Sequence, residues 1–458
     1  MSDQFKEQGG TSTMDPSPLR RWIASKFMTS MVDPEKLEKT RRKEELGRVK
    51  SGAMHVVEYF HQVDDGYSHL AAQMLKALTE KYDIELECHL VSGPLGANAA
   101  EPELLIELSR YDSSKIAHYY GLTFPDNLPS PSQVNINLAT SICAALDAQG
   151  FVNNAKPIGE ALWSSNDNAL ASLAEALGCA SESDLQEKIE AGNARRAQLK
   201  HYSGAMFYYA GEWYWGVDRL YHLEDRLSSI GAVRHPQMPL IAPRQEIIVG
   251  DSRDDGSLTL EVFASLRSPY TSIAFDRAIA LAEATGVTLH VRPILPMVMR
   301  GVPATTEKCI YIFTDTAREA RAAGVPYGNF YDPIGEPVRR CYSLYPWACS
   351  LGKGNQLLSS FLSAAFVDGV NTNNDKGLRS VIENAGLDWQ LAKESVGQDG
   401  WQQALEDNRL AMYDSGLWGA PSFRLLDRDK TPVLALWGQD RLWLIAQEIQ
   451  QQLALRIE

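Results

Sequence analysis

The sequence predicts an α/β fold written twice behind an N-terminal helical arm. Three observations carry this reading. A strand, a helix and a second strand open the region after residue 54. The same order returns 203 positions later, and a Trp-Gly-x-Asp-Arg block closes both regions.

The arm comes first. Residues 1–17 are polar, with Gly-Gly, Ser, Thr and Pro, and are expected to be disordered. Pro18–Ser30 then carries Leu19, Trp22, Ile23 and Phe27 at helical spacing. Pro34–Leu46 follows as a charged helix, with Arg41, Arg42 and Lys43 against Glu44 and Glu45. The pair reads as a solvated arm that packs its apolar stripe on a domain. Its mixed charge argues against a membrane-surface helix.

The first repeat opens with a strand at residues 54–60, and a helix begins near Tyr67. Ile84, Leu86, Cys88 and Leu90 then alternate with polar residues as a second strand. The second repeat opens with a strand at 258–266, a helix at 269–285, and the alternating Val287, Leu289 and Val291. Glu58-Tyr59-Phe60 matches Glu261-Val262-Phe263, and at the same shift Tyr67 meets Tyr270 and Ala71 meets Ala274. A strand–helix–strand order implies parallel pairing.

The closing halves match as well. Trp215-Gly216-Val217-Asp218-Arg219-Leu220 corresponds to Trp437-Gly438-Gln439-Asp440-Arg441-Leu442, now 222 positions apart. Each repeat therefore reads as β-α-β, a mostly helical middle, and β-β-α. In the second middle, amphipathic helices are expected near 306–323, 355–368, 376–385 and 399–414. The expected divisions are a tail and arm at 1–53, a first domain at 54–228, a Pro- and Gly-rich linker at 229–257, and a second domain at 258–458.

Composition narrows the partners. Of 458 residues, 44 % are hydrophobic and 22 % charged, a soluble globular balance. The net charge of −14 disfavours a general attraction to nucleic acid or anionic membrane. No apolar leader and no apolar run of about 18 residues occurs, so a cytoplasmic chain without membrane insertion is expected. Cys88, Cys143, Cys179, Cys309, Cys341 and Cys349 include no CxxC pair, which removes a protein dithiol centre and zinc-ribbon knuckles. No phosphate-loop, HExxH or GxSxG motif is present.

Two places in the second repeat carry chemistry. Its first strand runs into Ser268-Pro269-Tyr270-Thr271 at a helix start. Alone this is a capped helix, with Ser at the N-cap and Pro at the first position. A helix N-terminus also favours an anion and lowers a nearby thiol pKa. The second place is Gly419-Ala420-Pro421-Ser422-Phe423, followed by the Trp437 block. A Pro opening a strand marks an edge, a start or a cis turn.

Strand, S-P-Y at a helix start, helical insertion, G-x-P-x-F and W-G-x-D-R in this order resemble a thioredoxin-fold family. It comprises 2-hydroxychromene-2-carboxylate isomerases, kappa-class glutathione transferases and DsbA-type proteins. The resemblance covers most of 257–458, including Lys308, Asp315-x-x-Arg318-x-Ala320, Gly324-Val325-Pro326, Gly369 and Ala385-Gly386-Leu387. It implies two tandem thioredoxin-like domains, each with a helical insertion. It also implies glutathione as cofactor, no metal, and a small-molecule substrate. By position, Ser268 would hold the glutathione sulfur beside Pro269 and Tyr270. Ala420, before Pro421, would offer its backbone. Gln439, Asp440 and Arg441 would hold the γ-glutamyl end, and Lys308 is a further contact. Ser268 to Thr271 stand where DsbA-type oxidoreductases carry Cys-x-x-Cys, so disulfide exchange at that centre is excluded.

The first repeat departs from this pattern. Asp65 and Gly66 replace Ser268 and Pro269, and Gly204-Ala205-Met206-Phe207 lacks the proline. A carboxylate at 65 would repel a thiolate. His61, Asp64, Asp65 and His69 crowd this helix start and read as polar caps rather than a metal site. The leading expectation is a glutathione-dependent isomerase or transferase. The alternatives are a non-catalytic thioredoxin-fold scaffold, or an oxidoreductase acting on small thiols without a protein dithiol. An intramolecular pseudo-dimer and a homodimer are both compatible with the tandem arrangement.

Overall fold

The computed structural model describes residues 15–126 and 128–455, so residues 1–14 of the expected disordered tail lie outside the described residues. Two units separate: Lys39–Gln245, and Glu246–Glu458 together with the stretch before Lys39.

Each unit is built on one four-stranded sheet. In the first unit, β1 (Val56–His61) pairs in parallel with β2 (Glu85–Leu90). It pairs antiparallel with β3 (Met206–Tyr209), which turns back as β4 (Glu212–Trp215), so the order is β2-β1-β3-β4. In the second unit, β5 (Thr259–Ala264), β6 (Thr288–Pro293), β7 (Ser422–Leu426) and β8 (Pro432–Trp437) take the order β6-β5-β7-β8 with the same senses. The chain is thus an α/β protein with two mixed four-stranded sheets and many helices.

The arm is α1 (Pro18–Met31) and α2 (Pro34–Ser51). Here the structure corrects the sequence reading. Leu19, Trp22, Ile23 and Phe27 face solvent, while Arg21 and Ser25 are buried. The polar stripe docks, not the apolar one, because Arg21 Nη1 donates to the carbonyls of Asp332 and Ile334 at 2.7 and 2.6 Å. A guanidinium that satisfies two backbone carbonyls fixes the helix face more strongly than non-directional apolar contact.

The opening helices differ between units. In the first unit a short α3 (Gly66–Ala72) stops before α4 (Leu75–Lys81). In the second a single helix, α11 (Pro269–Thr285), runs the whole distance and ends on Gly286 at φ 80°. The first helical middle holds α5 (Pro102–Ile116), α6 (Gln133–Ala145), α7 (Ala148–Trp163), α8 (Asp167–Leu177) and α9 (Glu182–Gln198), and α10 (Leu220–Ser229) closes the unit. The second middle holds α12 (Thr306–Ala322), α13 (Glu336–Ser350), α14 (Gly354–Phe366), α15 (Asp375–Asn384), α16 (Trp389–Ser395) and α17 (Trp401–Tyr413). The last helix is α18 (Leu442–Ala454). In the second middle, α12, α14, α15 and α17 match the four expected helices, and α13 and α16 are additional.

A buried carboxylate crosses each central strand. All of β5 is buried, including Glu261, so that charge needs partners. Register supplies them: Arg424 lies opposite Glu261 on β7, and Arg292 reaches it from β6 at 2.6 Å. Burial pushes the Glu261 carboxyl up, but hydrogen bonds from His290, Arg292 and Arg424 outweigh it and hold the pKa at about 2. In the first unit Glu58 takes both Arg195 donors, at 2.7 and 2.8 Å, with His89 at 3.1 Å. A depressed carboxyl stabilises the fold above its unfolded value near 4.5, and that contribution is lost as pH falls toward 2. Glu261→Ala leaves two part-buried guanidinium groups without their carboxylate. It should cost about 3–5 kcal/mol in urea unfolding of the second unit.

Candidate functional site

The site forms where three loops meet at the end of β5. The strand leaves the sheet through Ser265–Arg267, and Ser268 caps α11. Its Oγ accepts from the Thr271 N–H at 3.2 Å and donates to the Ala420 carbonyl at 2.8 Å. Pro269 takes the first helical position. The Ala420–Pro421 peptide is cis, and Pro421 O accepts from Gly438 N–H at 3.0 Å. Ser268, Pro269, Ala420 and Pro421 are therefore brought together. Gly438 ties the start of the Gln439-Asp440-Arg441 turn to the same place.

The remaining predicted residues are placed unevenly. Tyr270 donates to Asp315 at 2.8 Å, and Arg318 donates to the same carboxylate at 2.7 Å. Gln439 is buried, with its amide donating to Glu319 at 2.9 Å and accepting from Arg277 at 3.1 Å. Arg441 is buried and donates to the Asp440 carbonyl at 3.2 Å. Asp440 is part-exposed. Lys308 approaches from α12, where its ammonium lies 5.5 Å from the centre of the Trp418 ring. Burial lowers the Lys308 pKa.

Three contributors were not singled out from sequence. Trp418 stands two residues before Ala420, its ring centre 5.3 Å from that of Trp437 and tilted by 38°. Its Nε1–H is buried with no hydrogen-bond partner among the described residues. A Cβ at Gly419 would lie 2.3 Å from Trp437 Nε1, so only glycine lets the turn pass the ring. Arg267, next to Ser268, forks onto Asp332 at 2.8 and 3.1 Å. Burial raises the Asp332 pKa, and the Arg267 charge more than reverses it. The Trp-Gly pair before Ala-Pro was the available signal for Trp418. Nothing local marked Asp332, which lies 65 residues from Arg267.

In the first unit the helix that follows the central strand starts on a carboxylate. Asp65 caps α3 by accepting from Ser68 N–H at 2.9 Å, and also accepts from the Ser68 and Ser109 hydroxyls. Ala205, at φ 55°, stands where Pro421 stands, and its carbonyl likewise accepts from the glycine of the closing block, Gly216, at 2.7 Å. His61 packs with Tyr59, and His69 with Gln73, so neither imidazole shares a ligand set with Asp65. The described residues whose ligand atoms do converge are Glu58, Glu87 and His89, within 4.8 Å. The Arg195 fork already supplies the cation at Glu58.

A family model described as DSBA-like thioredoxin domain matches residues 259–450. The 2-hydroxychromene-2-carboxylate isomerase of Sphingobium xenophagum is 24 % identical over 196 residues, covering 40 % of this chain and 94 % of the isomerase. Among solved structures, a 2-hydroxychromene-2-carboxylate isomerase matches at 17 % identity and TM-score 0.37, covering 43 % of this chain and 98 % of that one. The cytosolic disulfide reductase DsbM from Pseudomonas aeruginosa with GSH matches at 18 % identity and TM-score 0.32, covering 43 % and 98 %. The C-terminal half is a DsbA-like thioredoxin domain distantly related to that isomerase. No described helix is long and apolar enough to cross a membrane.

Proposed function

We propose that the C-terminal unit is a glutathione-dependent enzyme of the isomerase or transferase type, with Ser268 holding the sulfur. The observation that carries this is the Ser268 hydroxyl, set at the N-terminus of a 17-residue helix and bonded to the carbonyl before a cis proline. The distant isomerase likeness supports the reaction class. We also read the two units as copies of one domain. The Tyr67–Asp112 bond at 3.0 Å and the Tyr270–Asp315 bond at 2.8 Å, 203 positions apart, support that reading.

The residues present fit a small acidic thiol. Trp418 Nε1–H is a buried donor lacking an acceptor, and Lys308 is a desolvated amine beside it. Both suit a carboxylate. Asp440, part-exposed, suits the ammonium of a γ-glutamyl group. Glutathione, when bound, supplies a sulfur nucleophile for addition to an unsaturated acid or attack on an electrophile. Ser268 would rotate its O–H from the Ala420 carbonyl to the sulfur, a movement about one side-chain bond. The helix end favours the anionic form there. A carboxylate beside Lys308 would draw its pKa back up and fix the ammonium.

Calorimetric titration with reduced glutathione tests this. Wild type should bind, and Trp418→Phe should weaken binding by about tenfold through the lost charge-assisted bond. Asp440→Ala should weaken it as well; unchanged affinity would remove Asp440 from the γ-glutamyl site. No binding by wild type would sink the proposal in favour of a non-catalytic scaffold. A screen with unsaturated aromatic acids and with simple electrophiles then separates isomerase from transferase.

A further inference from the structure

We propose that α1 is a peripheral attachment helix for an anionic lipid surface. The inference does not depend on glutathione binding. It starts from the inverted seating of the helix. Arg21, Ser25 and Thr29, spaced four residues apart, are the groups that hold α1 to the 330–334 segment. Arg21 donates to two carbonyls there, Ser25 Oγ accepts from Asp332 N–H at 2.9 Å, and Thr29 Oγ1 accepts from Phe330 N–H at 3.0 Å. Arg21 is 0 % exposed.

The opposite face is apolar and open. Leu19 is 66 % exposed, Trp22 50 %, Ile23 53 % and Phe27 62 %. Four large apolar residues clustered on one helix are uncommon on a surface without a partner. Exposed Arg20 and Lys26 flank them, and α1 contains no acidic residue. On α1 itself, Arg20, Arg21 and Lys26 are the charged residues, and of these Arg20 and Lys26 are exposed, against a whole-chain charge of −14. The exposed charge on the helix that shows the apolar face is thus wholly positive.

This combination selects the occupant. Trp and Phe among Leu and Ile, edged by Arg and Lys, suits the boundary between anionic headgroups and acyl chains. A second copy fits less well. The patch is one face of a 14-residue helix, small beside a stable dimer interface, and pairing it with itself would bring like charges together at the rim. The acidic remainder of the chain would be repelled, so attachment would be confined to the arm.

The test is co-sedimentation of the full chain with phosphatidylcholine vesicles and with vesicles containing about a third phosphatidylserine, at low and physiological salt. The chain should sediment with the anionic vesicles only, and less at higher salt. The double variants Trp22→Ser/Phe27→Ser and Arg20→Glu/Lys26→Glu should each bind at least about tenfold more weakly. These side chains are exposed, so circular dichroism and thermal unfolding should match wild type. Absence of wild type from the anionic pellet, or full binding by the Trp22/Phe27 variant, overturns the proposal. A concentration-dependent dimer that this variant abolishes, without vesicle binding, assigns the face to a second copy and also overturns it.

Discussion

Ser268→Asp should leave the C-terminal unit folded and abolish glutathione binding. The first unit shows why the fold should tolerate it. Asp65 caps α3 through the same contact that Ser268 makes with Thr271. Asp is as good an N-cap as Ser, and its charge suits the helix end. The loss is the hydrogen bond to Ala420, which a carboxylate cannot donate. At position 65 a third donor, Ser109, compensates; 203 positions later stands Ile312. A cost of about 1–2 kcal/mol in stability follows. The binding cost should be larger, because a carboxylate placed against a thiolate raises its pKa and repels it. Ser268→Ala should weaken binding by roughly tenfold to a hundredfold, the worth of one bond to a charged acceptor. Ser268→Thr keeps the donor and should restore most of it. Thiolate absorbance of bound glutathione gives a readout apart from turnover: present near neutral pH in wild type and Thr, lost in Ala and Asp. Glutathione binding by the Asp variant at wild-type affinity would remove Ser268 from the site.

The opening of each unit was legible because period-two alternation and a bounded helix are local signals. Helix α11 is delimited by Ser268-Pro269 at one end and Gly286 at the other. Helix α13 was not legible because Pro346 lies inside it, where proline reads as a breaker. Helix α16 is seven residues long, too short for periodicity to register. The spacing of Leu19, Trp22, Ile23 and Phe27 correctly marked one face of a helix. Which face docks was decided 311 residues away, by carbonyls that no local pattern records. The same limit applies at the site. Ser268 and Pro421 follow from motif. The directions of Gln439 and Arg441, both turned into the core, depend on Glu319, Arg277 and a main-chain carbonyl.

Acidification to about pH 5 should unfold the 39–245 unit while the other stays folded. The cause is buried imidazole. His61, His69 and His201 are each at most 5 % exposed, and burial pushes each pKa from 6.5 to about 3; His61 and Lys156 add to the effect at His69, and Arg196 at His201. His69 Nδ1 has no hydrogen-bond partner among the described residues, so nothing there favours a proton's arrival. These groups stay neutral when folded and protonate when unfolded. Their contribution is whole above 6.5 and is lost as pH falls from 6.5 toward 3. At pH 5 each forfeits about 2 kcal/mol, on the order of 6 together, comparable with a domain's entire stability. Asp65 and Asp225, whose pKa values burial raises, work the other way, since the folded state holds their protons more tightly. They offset part of the loss. The C-terminal unit has one histidine, His290, and it is exposed; its acid-sensitive groups include the carboxylates Glu261, Asp332 and Glu406, which matter only below about 4.5. Hydrogen exchange read by mass spectrometry at pH 7 and 5, corrected for intrinsic rates, separates the units. Protection should fall across 56–90 and 206–215 and persist across 259–293. His61→Phe removes one titrating group beside Phe151 and should move the loss to lower pH. Simultaneous loss in both units, or loss first in 259–293, would show that buried histidine does not set the acid limit of the first unit.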